Sequence, residues 1–216
     1  MEADMRHFKT VLLPLLVVFM AFIGVLNCSA DSGEGENTDA GDDSGSGDAD
    51  TGAGAKFTLT SAAFTDGGAI PLKNSCGPES DYRKPSLPLA WSNAPAGTES
   101  FVLLFDDLHE VADGWVHWLV IDIPAAATSL AAGAGGKSMP TGAKELKNSW
   151  GESAYGGPCP PPPTGKHTYR VQLFAMPDAQ TSVSFDGRNG RQITETLKTR
   201  ALGIATLTGT YDRSGK

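Results

Sequence analysis

This 216-residue chain has no G-x-S-x-G nucleophile elbow, no H-E-x-x-H helix motif and no phosphate-cradling P-loop. It therefore carries no ready-made hydrolase nucleophile, zinc-peptidase centre or nucleotide-phosphate site. Basic charge is also short. Lys and Arg number 17 against 25 Asp and Glu, giving a formal net charge of −8, and no stretch gathers cations into a stripe, which argues against binding to a nucleic-acid backbone. No tandem repeat is visible. Segments with helical periodicity are scarce, and the longest apolar run, Val11 to Leu26, falls below the ~20 residues that a membrane-spanning helix needs. Cysteine is limited to three positions, Cys28, Cys76 and Cys159.

What is present divides the chain in three. Residues 1–27 read as an export signal, in which Arg6, His7 and Lys9 precede the apolar run and Val25-Leu26-Asn27-Cys28 ends it. That ending resembles a bacterial lipobox, which implies that Cys28 becomes the lipid-modified first residue of the mature chain. Asn27 departs from the pattern, which has Gly, Ala or Ser there, so ordinary signal-peptide cleavage and retention as an uncleaved anchor remain alternatives. Residues 28–55 are dominated by Gly, Ser, Ala, Thr, Asp and Glu, with no aromatic or branched aliphatic residue, and are expected to be a disordered tether. Its acidic residues repel one another and extend it. The acids from Asp31 to Asp50 account for the net charge, because basic and acidic residues balance between Lys56 and Lys216. The expected location is the bacterial cell envelope, exported and lipid-anchored, with the membrane as a partner through the N-terminal lipid.

Residues 56–216 are enough for one domain with a real core. Their apolar segments are short and rich in strand formers: FTLTS, ESFVLLFDD, WVHWLVIDIP, HTYRVQLFAM and SVSF, separated by Gly, Pro, Asn and Asp clusters. This predicts an all-β-dominated antiparallel β-sandwich with few short helices. The runs around Phe101–Phe105 and Val116–Ile123 are nearly continuous in apolar character, as suits central strands covered on both faces. One helix is expected near the C-terminus, Thr194 to Leu202, with Thr194 as N-cap, Gly203 as stop and Ile193, Leu197 and Ala201 as the buried stripe. With Cys28 lipidated, Cys76 and Cys159 are left as a pair in an oxidising compartment and are predicted to form a disulfide; two unrelated small hydrophobes or two metal ligands are the alternatives.

The chain converges on Tyr155 to Tyr169, YGGPCPPPPTGKHTY. Gly156 and Gly157 can adopt positive φ and expose bare N–H groups, while the following prolines stiffen the loop. His167 and Tyr169 alternate in a strand and so share one face. Four segments, PSLPLAW (Pro85 to Trp91), FDDLHE (Phe105 to Glu110), WVHWLVIDIP (Trp115 to Pro124) and the loop just described, resemble in order the signature blocks of the phosphatidylethanolamine-binding proteins, specifically the bacterial Raf-kinase-inhibitor-like branch. The resemblance covers Phe57 to Arg213. It implies a small cavity for a phosphate-like anion, with the family roles falling to Asp107, His117, Gly157, Pro160, Pro161, His167 and Tyr169, and Gly156 beside them. The family's DPDAP block reads Asp106-Asp107-Leu108-His109-Glu110-Val111 here, so Asp106 or Asp107 fills the acidic position; Asp107 is favoured.

Such residues make chemical sense together. Two imidazoles donate hydrogen bonds to anionic oxygens, an adjacent carboxylate fixes the proton on the ring it touches and raises that ring's pKa, and the glycine N–H groups add fixed donors. His109 reads as an exposed loop residue, Trp91, Trp115 and Trp118 as core or rim packing, and Tyr155 as a neighbour beneath the loop. The resulting expectation is a membrane-tethered binding module for a small anionic ligand, with no catalytic residue, no cofactor and no metal. The family name also suggests an inhibitor, for which export favours an envelope protease over a cytosolic kinase. A metal-assisted or acid–base enzyme is the third reading, in which His117 and His167 hold zinc.

Overall fold

The computed structural model describes residues 55–180 and 184–214, so the export signal, Cys28 and nearly all of the tether lie outside the described residues. Two antiparallel sheets form the body. The smaller has the order β1-β2-β5, from Thr58–Thr60, Leu89–Ser92 and Ser129–Leu130. The larger has the order β6-β4-β3-β7-β8, from Lys144–Leu146, Val116–Pro124, Ser100–Asp107, Lys166–Met176 and Gly203–Asp212. The strand-dominated sandwich is therefore as expected, although of the SVSF segment Ser184 and Phe185 lie in coil and the preceding two residues are not described.

Every residue of β3 is buried because both faces of the large sheet are covered. Its residues alternate between two cores. Phe101, Leu103 and Phe105 join Leu59, Leu89 and Trp91 between the sheets. Val102 and Leu104 pack instead with Phe174, Ile193 and Leu197 under α1, Gly190–Lys198. The same period of two continues past Phe105 and sends Asp106 toward α1 and Asp107 toward the space between the sheets. This parity was available in the sequence and separates the two candidate acids.

In β4 the alternation breaks where the site needs it. Phe105 pairs with Trp118, whereas Asp106 pairs with Val116, so His117 is an extra residue in a β-bulge. A bulge re-aims side chains, and here it lets His117 and Trp118, adjacent in sequence, both serve the inter-sheet side.

The helix begins four residues before the expected start. Asn189 is its N-cap in a capping box: its side-chain oxygen accepts from the Gln192 N–H at 3.0 Å, and the Gln192 side chain accepts from the Asn189 N–H at 3.1 Å. Thr194 lies inside the helix, its hydroxyl 2.8 Å from the Gly190 carbonyl. Ile193 and Leu197 are buried as expected, while Ala201 falls past the helix end and is only partly buried. A Cβ on Gly190 would come 2.4 Å from the Asp106 carboxylate, so close packing selects glycine there.

Cys76 and Cys159 form a disulfide with their Cα atoms 5.1 Å apart. It pins the loop before β7 to the segment after a 3-10 turn at Leu72–Asn74. The Cys76 N–H donates to the Pro158 carbonyl at 2.9 Å, and the Tyr211 hydroxyl donates to the Cys76 carbonyl.

Candidate functional site

Strands β3, β4 and β7 and the loop from Asn148 to Thr164 enclose a cavity of about 310 Å³. Asp107, His117, His167, Pro160 and Pro161 all line it. Gly156, Gly157 and Tyr169 stand behind the lining, and Asp106 is on the opposite side of the sheet, fully buried and held by Arg170 through bonds of 3.1 and 2.7 Å. Arg170 lies directly across from Asp106 in the β3–β7 register, just as Tyr169 lies across from Asp107. Of the two adjacent aspartates, one thus fastens β7 to its neighbour and the other faces the cavity.

The loop is built around Trp150. The Asn148 side-chain oxygen accepts from the N–H groups of Trp150 and Glu152, at 2.9 and 3.1 Å, and its amide donates to the Ala154 carbonyl at 2.9 Å. This turn lays Trp150 flat on Tyr82, with ring centroids 4.1 Å apart, and edge-on to Trp115 and His117, at 5.3 and 5.1 Å. Neither Gly156 nor Gly157 has a positive φ. A Cβ on Gly156 would sit 2.4 Å from the Trp150 ring, and one on Gly157 would sit 2.5 Å from the Asn74 carbonyl oxygen. Crowding, not left-handed backbone, selects these glycines.

Their N–H groups are not an anion cradle either. Gly156 donates to the His117 carbonyl and Gly157 to the Tyr82 carbonyl, both at 2.8 Å. Proline occupies position 158 and positions 160–163, so the Cys159 N–H is the one donor of the run without a partner among the described residues.

Asp107 and His167 form a closed chain. The Asp107 carboxylate accepts the His109 N–H at 2.9 Å and meets His167 Nδ1 at 2.6 Å. His167 Nε2 is 2.8 Å from Thr164 Oγ1, and that hydroxyl donates to the Pro161 carbonyl at 2.6 Å. A carbonyl accepts only, so the hydroxyl proton is taken by Pro161 and Nε2 donates to Thr164. Both nitrogens of His167 are therefore occupied within the protein, contrary to the expectation that two imidazoles offer donors to a ligand. His109, read from sequence as an exposed loop residue, is partly buried and stacks on His167 with ring centroids 3.9 Å apart.

His117 is the titratable ring with an atom to offer. Its Nδ1 donates to the Gly156 carbonyl at 2.9 Å, which leaves Nε2 as a lone-pair acceptor when the ring is neutral. Burial pushes its pKa down to about 4, outweighing hydrogen bonding to Gly156 and the Asp107 charge, so the ring is neutral near pH 7. The expected pH-sensitive cationic donor is thus replaced by a neutral acceptor. Tyr169 is fully buried, and burial, aided by the charge and proximity of the Asp107 carboxylate, holds its phenol far above the ordinary value.

Sequence reasoning missed Trp150, Thr164 and the apolar wall of Val111 and Ala112, and it read Trp115 and Cys159 for packing and pairing alone; all six line the cavity. Val111 and Trp115 are exposed at its mouth. Only the T-G-K-H spacing in β7's approach could have pointed to Thr164, because a hydroxyl three residues before a strand histidine is within reach of its ring.

Comparison with known proteins places this arrangement. The family model described as phosphatidylethanolamine-binding protein matches residues 60–212. A Mycobacterium tuberculosis protein named "Putative lipoprotein LppC" is 36% identical over 156 residues, covering 72% of this chain and 72% of that protein. The YbcL protein of Escherichia coli is 32% identical over 165 residues, covering 73% of this chain and 88% of its own. The crystal structure of YbcL, described as a new member of the mammalian PEBP family, superimposes with a TM-score of 0.63 at 30% identity, over 73% of this chain and 98% of that one. A homologue from Chlamydia trachomatis gives a TM-score of 0.57 at 30% identity, over 72% and 96% of the two chains. The chain belongs to the phosphatidylethanolamine-binding protein family.

Proposed function

We propose that this protein is a non-catalytic binding module that receives one small oxyacid group, phosphate or a phospholipid-headgroup-like phosphomonoester, and that lipid on Cys28 tethers it to a membrane of the cell envelope. The observation that carries the binding reading is the convergence of Asp107, His117 and His167, from three strands, on one cavity whose loop is anchored by a disulfide. A polar end of this size beside the Trp115–Trp150 corner suits a ligand with a compact acid head.

Binding is favoured over catalysis by the direction of the hydrogen bonds. Asp107, His167 and Thr164 have the spacing of an acid–base–nucleophile relay. A nucleophile must pass its proton to the base, yet the Thr164 proton points to Pro161 and His167 already donates at Nε2. A ring in that state accepts no proton from Thr164.

Titration of the protein with inorganic phosphate or phosphoethanolamine, followed by calorimetry and by the ring signals of His117, tests the reading. Saturable binding with a displaced His117 signal is expected, and histidine signals unmoved at millimolar ligand overturn it. Tethering rests on the residue pattern before Cys28 and on the name carried by the mycobacterial relative. Metabolic labelling with a fatty-acid analogue should mark the wild-type chain and not Cys28→Ala; equal labelling of both, or of neither, removes the tether.

A further inference from the structure

The cavity lining contains no Lys and no Arg, although it does contain Asp107. Its one carboxylate is already engaged by His167 Nδ1 and the His109 N–H, and the lining supplies no arginine or lysine to set against a doubly charged ligand. Its available polar atoms are few. His117 Nε2 offers a lone pair, the Cys159 N–H has no partner among the described residues, and Trp115 and Trp150 bring only uncharged side chains to the lining. The remaining lining is apolar, including Val111, Ala112 and the proline side chains.

We propose that the cavity takes its oxyacid ligand in a protonated, singly charged form, a phosphomonoester or phosphonate monoanion, and discriminates against dianions; this rests on the reading of the site given above. The acid hydroxyl of such a ligand donates to His117 Nε2, and a neighbouring oxygen accepts from the Cys159 N–H. A phosphomonoester or phosphonate dianion brings acceptors alone at its acid head. It sets a lone pair against the lone pair of His117 and carries a second charge, without a counter-ion, into a site walled by tryptophan and proline. The titratable groups that face His117 are Asp107 from β3 and His167 and Tyr169 from β7, with His109 stacked on His167; the loop contributes Trp150 and no charged side chain to this wall. The low pKa of His117 agrees with a ring that accepts rather than donates between pH 5 and 8.

The test is calorimetric titration of the full, disulfide-intact chain with methyl phosphate, methylphosphonate and sulfate from pH 5 to 8. Methyl phosphate affinity should fall about tenfold per pH unit above the ligand's own second pKa, near 6 for phosphomonoesters, because only the protonated fraction binds. The fall should begin at higher pH for methylphosphonate, whose second ionisation is weaker. Sulfate, a dianion throughout, should bind at least about tenfold more weakly than methyl phosphate at pH 5. Sulfate matching methyl phosphate at pH 5, methyl phosphate affinity that is flat or rising with pH, or one midpoint shared by both titrating ligands overturns the inference while leaving the site in place. Failure of all three ligands to bind at any pH removes the site reading itself.

Discussion

Asp106 and Asp107 are joined by one peptide bond, yet the same substitution should cost far more stability at the first position than at the second. Asp106→Asn replaces a fully buried carboxylate that holds Arg170 through two bonds. An amide has one acceptor oxygen and no charge, so one guanidinium N–H and the arginine charge are left uncompensated. Breaking a buried pair costs about 3–5 kcal/mol; the Arg170 side chain keeps 19% of its exposure, which places the loss near the lower end, about 3 kcal/mol. For a domain of this size that corresponds to a fall of about 6–12 °C in Tm. Asp107→Asn leaves its hydrogen bonds intact, because the amide oxygen still accepts from the His109 N–H and the amide N–H donates to His167 Nδ1. Its cost should stay within about 1 kcal/mol. The double variant Asp106→Asn, Arg170→Met should recover most of the loss of the first, since no buried cation remains. Phosphate affinity of Asp106→Asn, measured where the variant is folded, should match wild type. Thermal and urea unfolding of the four proteins reads the outcome. Equal destabilisation by the two asparagine substitutions, or a larger effect at Asp107, refutes the assignment of the two acids to opposite faces.

Replacing Cys76 and Cys159 by Ser opens a loop closed across 83 residues of sequence separation, and the chain-entropy relation gives a loss of about 4.5 kcal/mol, to be read as a lower urea midpoint that reductant reproduces in wild type. His117 binds its proton less tightly folded, at about 4, than unfolded at 6.5, so stability is fully present above pH 6.5 and is lost as pH falls toward 4. The stake is about 3 kcal/mol, and His117→Gln should flatten that part of the stability–pH curve; an unchanged slope would contradict the buried neutral ring. Gly157→Ala forces a Cβ against the Asn74 carbonyl and should cost about 1–3 kcal/mol together with a weaker phosphate isotherm, whereas a neutral result would mean that the loop does not lie where it is described.

The sandwich and its central strands were legible because strand formers, turn clusters and doubly covered apolar runs such as Phe101–Phe105 report directly on local conformation and burial. The choice between Asp106 and Asp107 was legible too, from the alternation that starts at Phe101, though it takes a covered sheet to say which parity faces which core. The bulge at His117 was not. Nothing in VHW reveals one extra residue, because a bulge is a property of the pairing with β3 and not of β4 alone. The glycine pair was recognised for the wrong reason: conformational freedom is written in the residue type, whereas the collision with Trp150 and Asn74 depends on segments remote in sequence. His109 was read as exposed and Thr164 was missed because stacking and proton direction exist only once β7 is laid beside the turn after β3. The helix start at Asn189 was readable from the Asn-x-x-Gln spacing, which the choice of Thr194 as N-cap passed over.

The single peptide unit between the two aspartates also governs how the protein meets different molecules. Asp106 is clamped by a guanidinium fork and wedged against the first residue of the helix, so its neighbour cannot swivel without tearing that clamp. The acid end of the receptacle is consequently stiff, and accommodation of varied guests falls to the solvent-facing indole and valine at the entrance. Complexes with unlike ligands should superimpose along this strand and differ at Val111 and Trp115.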